Sequence, residues 1–124
     1  MAQRLLLAIF LGGAAGGLAR AALERGWPAD GHSWPWVTFA VNLAGTAVLA
    51  YVIARLGRRT YVRALVGVGF CGALTTFSTL QLEVLELAHN RCFGLAVGYA
   101  AASVGGGLAV ALAVSVLARP RPAP

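Results

Sequence analysis

The chain has 124 residues, 59% of them hydrophobic, with ten basic side chains, all arginine, and four acidic ones. Together with a mean hydropathy of +0.76, this is the composition of a membrane chain and leaves no length for a soluble domain. A fused cytosolic enzyme, an appended receptor domain and a nucleic-acid-binding module are therefore excluded, the last despite a net charge of +6.

Four uncharged runs carry the pattern: Leu5 to Ala19, Ser33 to Ala54, Ala64 to Leu82 and Cys92 to Ala118. About 20 residues at 1.5 Å each cross a hydrocarbon core of roughly 30 Å. The runs thus predict an all-α membrane protein, with a single four-span domain over residues 1–118 and a disordered Pro/Arg/Ala tail over 119–124. A cleaved leader is the competing reading of the first run. A retained helix is preferred, because an arginine interrupts the small-residue pattern Ala19-Arg20-Ala21 and three later spans need a partner.

The arginines set orientation. Arg4, Arg55, Arg58, Arg59, Arg63, Arg119 and Arg121 fall on one side of a four-span chain, Arg25 and Arg91 on the other. Both termini are expected in the cytoplasm, with the chain in the inner (plasma) membrane. Cys71 and Cys92 are too few for a disulfide framework and read as small apolar residues.

In the first span Ala8, Gly12, Gly16 and Arg20 share one i+4 line, with Gly13 and Gly17 beside it. In lipid, small residues in register mark close helix contacts. Arg20, left unpaired, would cost at least about 2.5–3.5 kcal/mol. It either finds a partner or snorkels to the outer interface, close to the expected span end. The loop from Gly26 to Trp36 combines helix breakers (Pro28, Gly31, Pro35) with interfacial Trp27, Trp34 and Trp36.

The second span aligns Thr38, Asn42 and Thr46 four residues apart. The Asn42 amide offers two N–H donors, for an anion or for an interhelical bond. Arg55 to Arg63 form the inner turn. The third span carries GFCGALTTFST over Gly69 to Thr79, two glycines and then four hydroxyl residues where a lipid-facing helix would have leucine. This predicts a broken helix, tolerated at depth only in protein or along a polar cavity, where unwound carbonyls can bind a cation. A hydroxyl-bonded kink is the alternative. A polar turn from Glu86 to Arg91 leads to span four, with Gly94, Gly98 and Ala102 in register and a further cluster at Gly105 to Gly107.

These residues resemble the fluoride-specific ion channel family called Fluc or CrcB. The likeness rests on GFCGALTTFST, on GGAAGGLAR at Gly12 to Arg20 and on VNLAG at Val41 to Gly45, and it covers all four spans in order. It implies two four-helix subunits packed antiparallel, their third-span breaks crossing at the midplane. The backbone carbonyls of Gly72 and Thr75 would hold a structural, untransported Na⁺. Phe77 would line the fluoride path, with Asn42 holding its ring or donating toward the ion and Arg20 near the vestibule. Thr38 and the hydroxyls of Thr76, Ser78 and Thr79 would belong to that path, and Tyr99 and Ser103 would continue a polar track. Glu83 matches the family's glutamate after the motif, or else is an interfacial acid near Arg91. One departure is Leu80, where the family pattern has a second phenylalanine three residues after Phe77. Leucine offers fluoride no positive ring edge.

Seven arginines against two oppose free insertion in both orientations. The expected partner is therefore an inverted homologous subunit, with an antiparallel homodimer as the alternative. A proton-coupled multidrug-type transporter needs a carboxylate in mid-membrane, and Glu24, Asp30, Glu83 and Glu86 all read as lying at or beyond span ends. A hydrolase needs a buried nucleophile and base, and His32 and His89 read as loop residues. A purely structural assembly partner stays open.

Overall fold

The computed structural model describes residues 1–58 and 60–123. Arg59, counted above among the inner arginines, and Pro124, in the tail, lie outside the described residues. The elements are α1 (Ala2–Gly26), α2 (Trp36–Arg55), a π-helical segment (Arg63–Cys71), a single turn α3 (Gly72–Leu74), α4 (Phe77–His89) and α5 (Phe93–Leu117). The π-segment, α3 and α4 together make the third span, and among the described residues four spans are long and apolar enough to cross a membrane. The chain is an all-helical, multi-pass membrane protein.

The helices outrun the uncharged stretches that announced them. Arg20 lies inside α1, which continues to Gly26, so it is not the near-terminal residue that the run ending at Ala19 suggested. Likewise α4 continues through Glu83 and Glu86 to His89. His89 is thus a helix residue, and the turn before α5 is confined to Asn90, Arg91 and Cys92, with Arg91 at φ 61°. Charge was the wrong stop signal, because a helix satisfies its own backbone whatever its side chains carry.

Short polar contacts fix the connections. Asp30 Oδ1 accepts from the His32 and Ser33 amides and from the Ser33 hydroxyl, each at 2.9 Å. Gly31 has φ +71°, and a Cβ there would fall 2.6 Å from Asn90 Nδ2. Asn90 Nδ2 donates to the Gly31 carbonyl at 3.0 Å, tying the first and third connections together. At the connection after α2 Arg63 Nη1 donates to the Leu56 carbonyl at 3.2 Å.

The first-span glycines divide sharply. A Cβ on Gly12 would overlap the Leu65 carbonyl oxygen, and one on Gly16 the Phe70 carbonyl oxygen. From the other side, a Cβ on Gly69 would come within 2.5 Å of the Ile9 oxygen and 3.0 Å of the Gly12 Cα. So α1 and the π-segment touch backbone to backbone, the close approach that glycine permits in a bilayer. Gly17, Gly94, Gly105 and Gly107 would meet nothing within 4 Å, which corrects the expectation of close contacts along the whole of these tracks within the chain. On the opposite side α5 packs on α2 and α4 through a core of Leu80, Leu87, Ala96 and Tyr99, edged by Trp34 and Phe39. Outward-facing Leu6, Phe10, Leu18, Val97, Val104 and Leu108 are exposed and apolar, as bilayer contact requires.

Candidate functional site

Between α3 and α4 two residues leave helical conformation, Thr75 at φ −76°, ψ 147° and Thr76 at φ −145°, ψ 123°. Two turns of helix cannot close their usual bonds across an extended pair, so other groups take them over. Thr75 directs both its amide and its hydroxyl to the Cys71 carbonyl, at 3.0 and 2.9 Å. Asn42 pairs with the Thr76 peptide on both edges. Its Oδ1 accepts from the Thr76 amide at 2.8 Å and its Nδ2 donates to the Thr76 carbonyl at 3.0 Å. One Asn42 N–H is left over. Thr46, a turn further along α2, donates to the Asn42 carbonyl at 2.7 Å and so bonds within its own helix.

Thr76 also starts α4. Its hydroxyl accepts from the Thr79 amide at 3.2 Å, the geometry of an N-cap, and donates to the Thr79 hydroxyl at 3.1 Å. The exposed Ser78 hydroxyl lies 3.3 Å from the same oxygen. Asn42 and Thr76 thus hold the amides that would be the i+4 donors of the Gly72 and Thr75 carbonyls.

Arg20 reaches the break from α1, its Nε donating to the Ala73 carbonyl at 3.1 Å and its Nη1 pairing with Glu24 at 3.3 Å. Glu24 was not singled out as a site residue. Its spacing of four from Arg20 on one helix was the available signal. Glu83, read as lying at or beyond its span's end, is instead inside the third span. Its two oxygens accept from Thr38 Oγ1 at 2.7 Å and from Tyr99 Oη at 2.6 Å. Thr38 is 3% exposed and Tyr99 fully buried, with the Trp34 ring edge-on to Tyr99 at 5.4 Å.

Two clefts flank these groups. The larger one, about 470 Å³, is bordered by Thr38, Thr79, Glu24, Glu83 and Trp27, Trp34 and Trp36. The second, about 230 Å³, is bordered by Asn42, Thr46, Thr75, Thr76, Phe77, Leu80, Ser103 and Val104. The Thr76–Thr79 hydroxyl pair stands between them. Ser103 Oγ is buried and without a partner among the described residues. Phe77 is 67% exposed while Leu80 is 8% exposed and belongs to the core. Both border the smaller cleft, in keeping with their spacing of three, while Leu80 also packs toward Leu87 and Tyr99. Among the described residues no group of His, Cys, Asp and Glu is arranged to hold a metal.

Fold and site together define a small four-span membrane protein whose polar residues close around an interrupted helix. A family model described as CrcB-like protein, Camphor Resistance (CrcB), matches residues 7–115, and the chain belongs to that family. It is 48% identical over 123 residues to the fluoride-specific ion channel FluC 1 of Mycolicibacterium paratuberculosis, covering 95% of this chain and 93% of the relative. The FluC 1 channels of Mycobacterium bovis and Mycobacterium tuberculosis are each 43% identical over 120 residues, with 94% and 91% covered.

Proposed function

We propose that the chain is a subunit of a fluoride-specific ion channel, through which cytoplasmic fluoride leaves passively and its toxicity falls. It is a channel component and not an enzyme. The observation that carries the reading is the Asn42–Thr76 pairing at the interrupted third span, in a chain whose relatives are named fluoride-specific ion channels. A small, tightly hydrated anion needs replacement donors on a dry path. The spare Asn42 N–H, the Ser78 and Ser103 hydroxyls and the exposed Phe77 ring border or adjoin the smaller cleft and suit that need. Thr38, Thr76, Thr79 and Tyr99 keep the surrounding polar groups paired, and Leu80 forms part of the wall.

Passive flow suffices. Fluoride that enters as neutral HF from an acid exterior is trapped as the ion inside, and the membrane potential drives the anion out. No coupling acid is required, and Glu83 is already engaged by two hydroxyl donors.

A hard cation takes oxygen ligands. The Gly72 and Thr75 carbonyls, both relieved of their helical donors, fit a structural Na⁺ shared with a second subunit. When bound, the ion would hold two third-span breaks together without itself moving. The partner in this reading is an inverted, homologous subunit, giving an antiparallel heterodimer, with the homodimer as the alternative. The arginine bias favours both termini in the cytoplasm and residence in the inner (plasma) membrane.

The test is fluoride efflux from liposomes holding the purified protein, read with a fluoride electrode. Asn42→Asp removes the donor to the Thr76 carbonyl and sets an anion against both that carbonyl and the permeating ion, so efflux should fall at least tenfold, about 1.4 kcal/mol. A parent that moves no fluoride, alone or with an inverted homologue, together with an Asn42→Asp variant identical to it, refutes the channel reading.

A further inference from the structure

One turn of α1 places two opposite charges on opposite sides of the break. Arg20 Nε donates at 3.1 Å to the carbonyl of Ala73, in the last turn of the inner half of the third span. Glu24 Oε1 accepts at 3.5 Å from the hydroxyl of Thr79, in the first turn of the outer half. Between them Arg20 Nη1 meets both Glu24 oxygens, at 3.3 and 3.4 Å.

The signs match the backbone. A helix carries about half a negative charge at its carbonyl end and half a positive charge at its amide end. At the break the carbonyl end of the inner half faces the amide end of α4. Arg20 lies on the first and Glu24 beside the second, so each charge has the sign that its helix end favours. Ala73 is also the carbonyl between those of Gly72 and Leu74. Binding it orients the strip of main chain from which Gly72 and Thr75 present their oxygens.

We propose that Arg20 and Glu24 form an electrostatic clamp that sets the spacing of the two halves of the third span, so that Arg20 is a positioning residue and not a ligand for the permeating anion. Two of the three guanidinium nitrogens are engaged in the clamp, and the pair is neutral as a unit. The geometry stands independently of the channel reading, and only the consequence for fluoride flow rests on it. Both side chains are about one third exposed, 31% and 30%, so solvent screening holds the effect to a modest size.

The experiment uses the full chain in liposomes and two readouts, fluoride efflux and amide hydrogen exchange over residues 76–80. Glu24→Gln, Arg20→Gln, the double variant and the exchanged pair Arg20→Glu with Glu24→Arg are compared. Each single change should speed exchange about three- to tenfold, and the double variant should be no worse than the larger single. The exchanged pair keeps the ion pair but reverses both charges relative to the helix ends, so it should not restore protection. Efflux should fall in step with lost protection. The clamp is overturned if the exchanged pair restores parental exchange, if the single effects multiply in the double variant, or if none of them changes exchange. It is also overturned if Arg20→Gln abolishes efflux while protection stays intact, the signature of a direct anion ligand. If the parent carries no fluoride, the channel reading fails and the exchange data still decide the clamp.

Discussion

Adding one methyl group at Gly12 tests the backbone contact between α1 and the third span. A Cβ there would overlap the Leu65 oxygen, with the Leu65 carbonyl carbon and the Phe70 nitrogen each 2.9 Å away. All three are main-chain atoms, so no rotamer change relieves the clash. Restoring ordinary contacts of about 3.5–4.0 Å requires α1 to back away by roughly 1.5–2 Å. Overpacking of this kind costs about 1–3 kcal/mol, offset by the gain of about 0.8–1.0 kcal/mol from replacing glycine with alanine in a helix. Because the clash is with main chain, the upper end of that cost applies, and the expected net loss for Gly12→Ala is up to about 2 kcal/mol, a fall of up to roughly 8 °C in the unfolding midpoint for a chain of this length. Gly17 is the control, since its Cβ would meet nothing within 4 Å, and Gly17→Ala should be neutral or raise the midpoint by up to about 4 °C. Thermal unfolding in detergent, followed by tryptophan fluorescence, measures both. The displaced α1 would also stretch the 3.1 Å bond from Arg20 to Ala73, so Gly12→Ala should slow fluoride efflux and Gly17→Ala should not. Matching midpoints for the two variants would refute the backbone contact.

Tyr99→Phe removes the 2.6 Å donor to Glu83 and leaves a carboxylate oxygen unpaired between helices, an expected loss of about 1–3 kcal/mol measured by the same unfolding assay. A Cβ at Gly72 meets nothing within 4 Å among the described residues, so Gly72→Val should change the isolated subunit's unfolding little and abolish dimer assembly, whereas Thr75→Ser should be mild in both; cation-substitution density without an ion at the crossing would count against the Na⁺ site. A reporter on the C-terminus of the chain expressed alone should lie on the cytoplasmic side, and equal inside and outside populations with fluoride resistance restored would defeat the heterodimer. The His32 amide, then the Ser33 hydroxyl and amide, hold the Asp30 carboxyl below its ordinary 3.8. Because the folded value is the lower one, the loop between α1 and α2 keeps this support above that ordinary value and loses it as pH falls through the depressed one. Amide exchange at His32 and Ser33 should therefore accelerate only at strongly acid pH, and Asp30→Asn should remove that dependence.

The four spans were legible because an apolar run of about 20 residues has few other uses. Their ends were not, since Arg20 and Glu83 looked like interruptions until the structure gave each a partner on a neighbouring helix. The Thr38-Asn42-Thr46 line was readable as one stripe, but its members do three different things. Thr38 bonds Glu83, Asn42 bonds the Thr76 peptide, and Thr46 bonds its own helix. Periodicity gives the face and never the partner across it. Leu80 illustrates the same limit: three residues from Phe77 put it near the same cleft, yet the packing of α5 on α4 drew it into the core. Glu24 was overlooked because an acid close to the presumed end of a span reads as an interfacial charge.

The chain order of the groups that meet at the break bears on how the protein is made. Arg20, Glu24, Thr38 and Asn42 all lie on α1 and α2, which leave the ribosome before the third span. When that span enters the bilayer, the peptide of Thr76, the carbonyl of Ala73 and one oxygen of the Glu83 carboxylate find bonding groups already in place, so these groups need not wait unpaired in hydrocarbon at several kcal/mol apiece. Only the Tyr99 hydroxyl arrives later, with the final helix. Moving α1 or α2 behind the third span by circular permutation would take that shelter away.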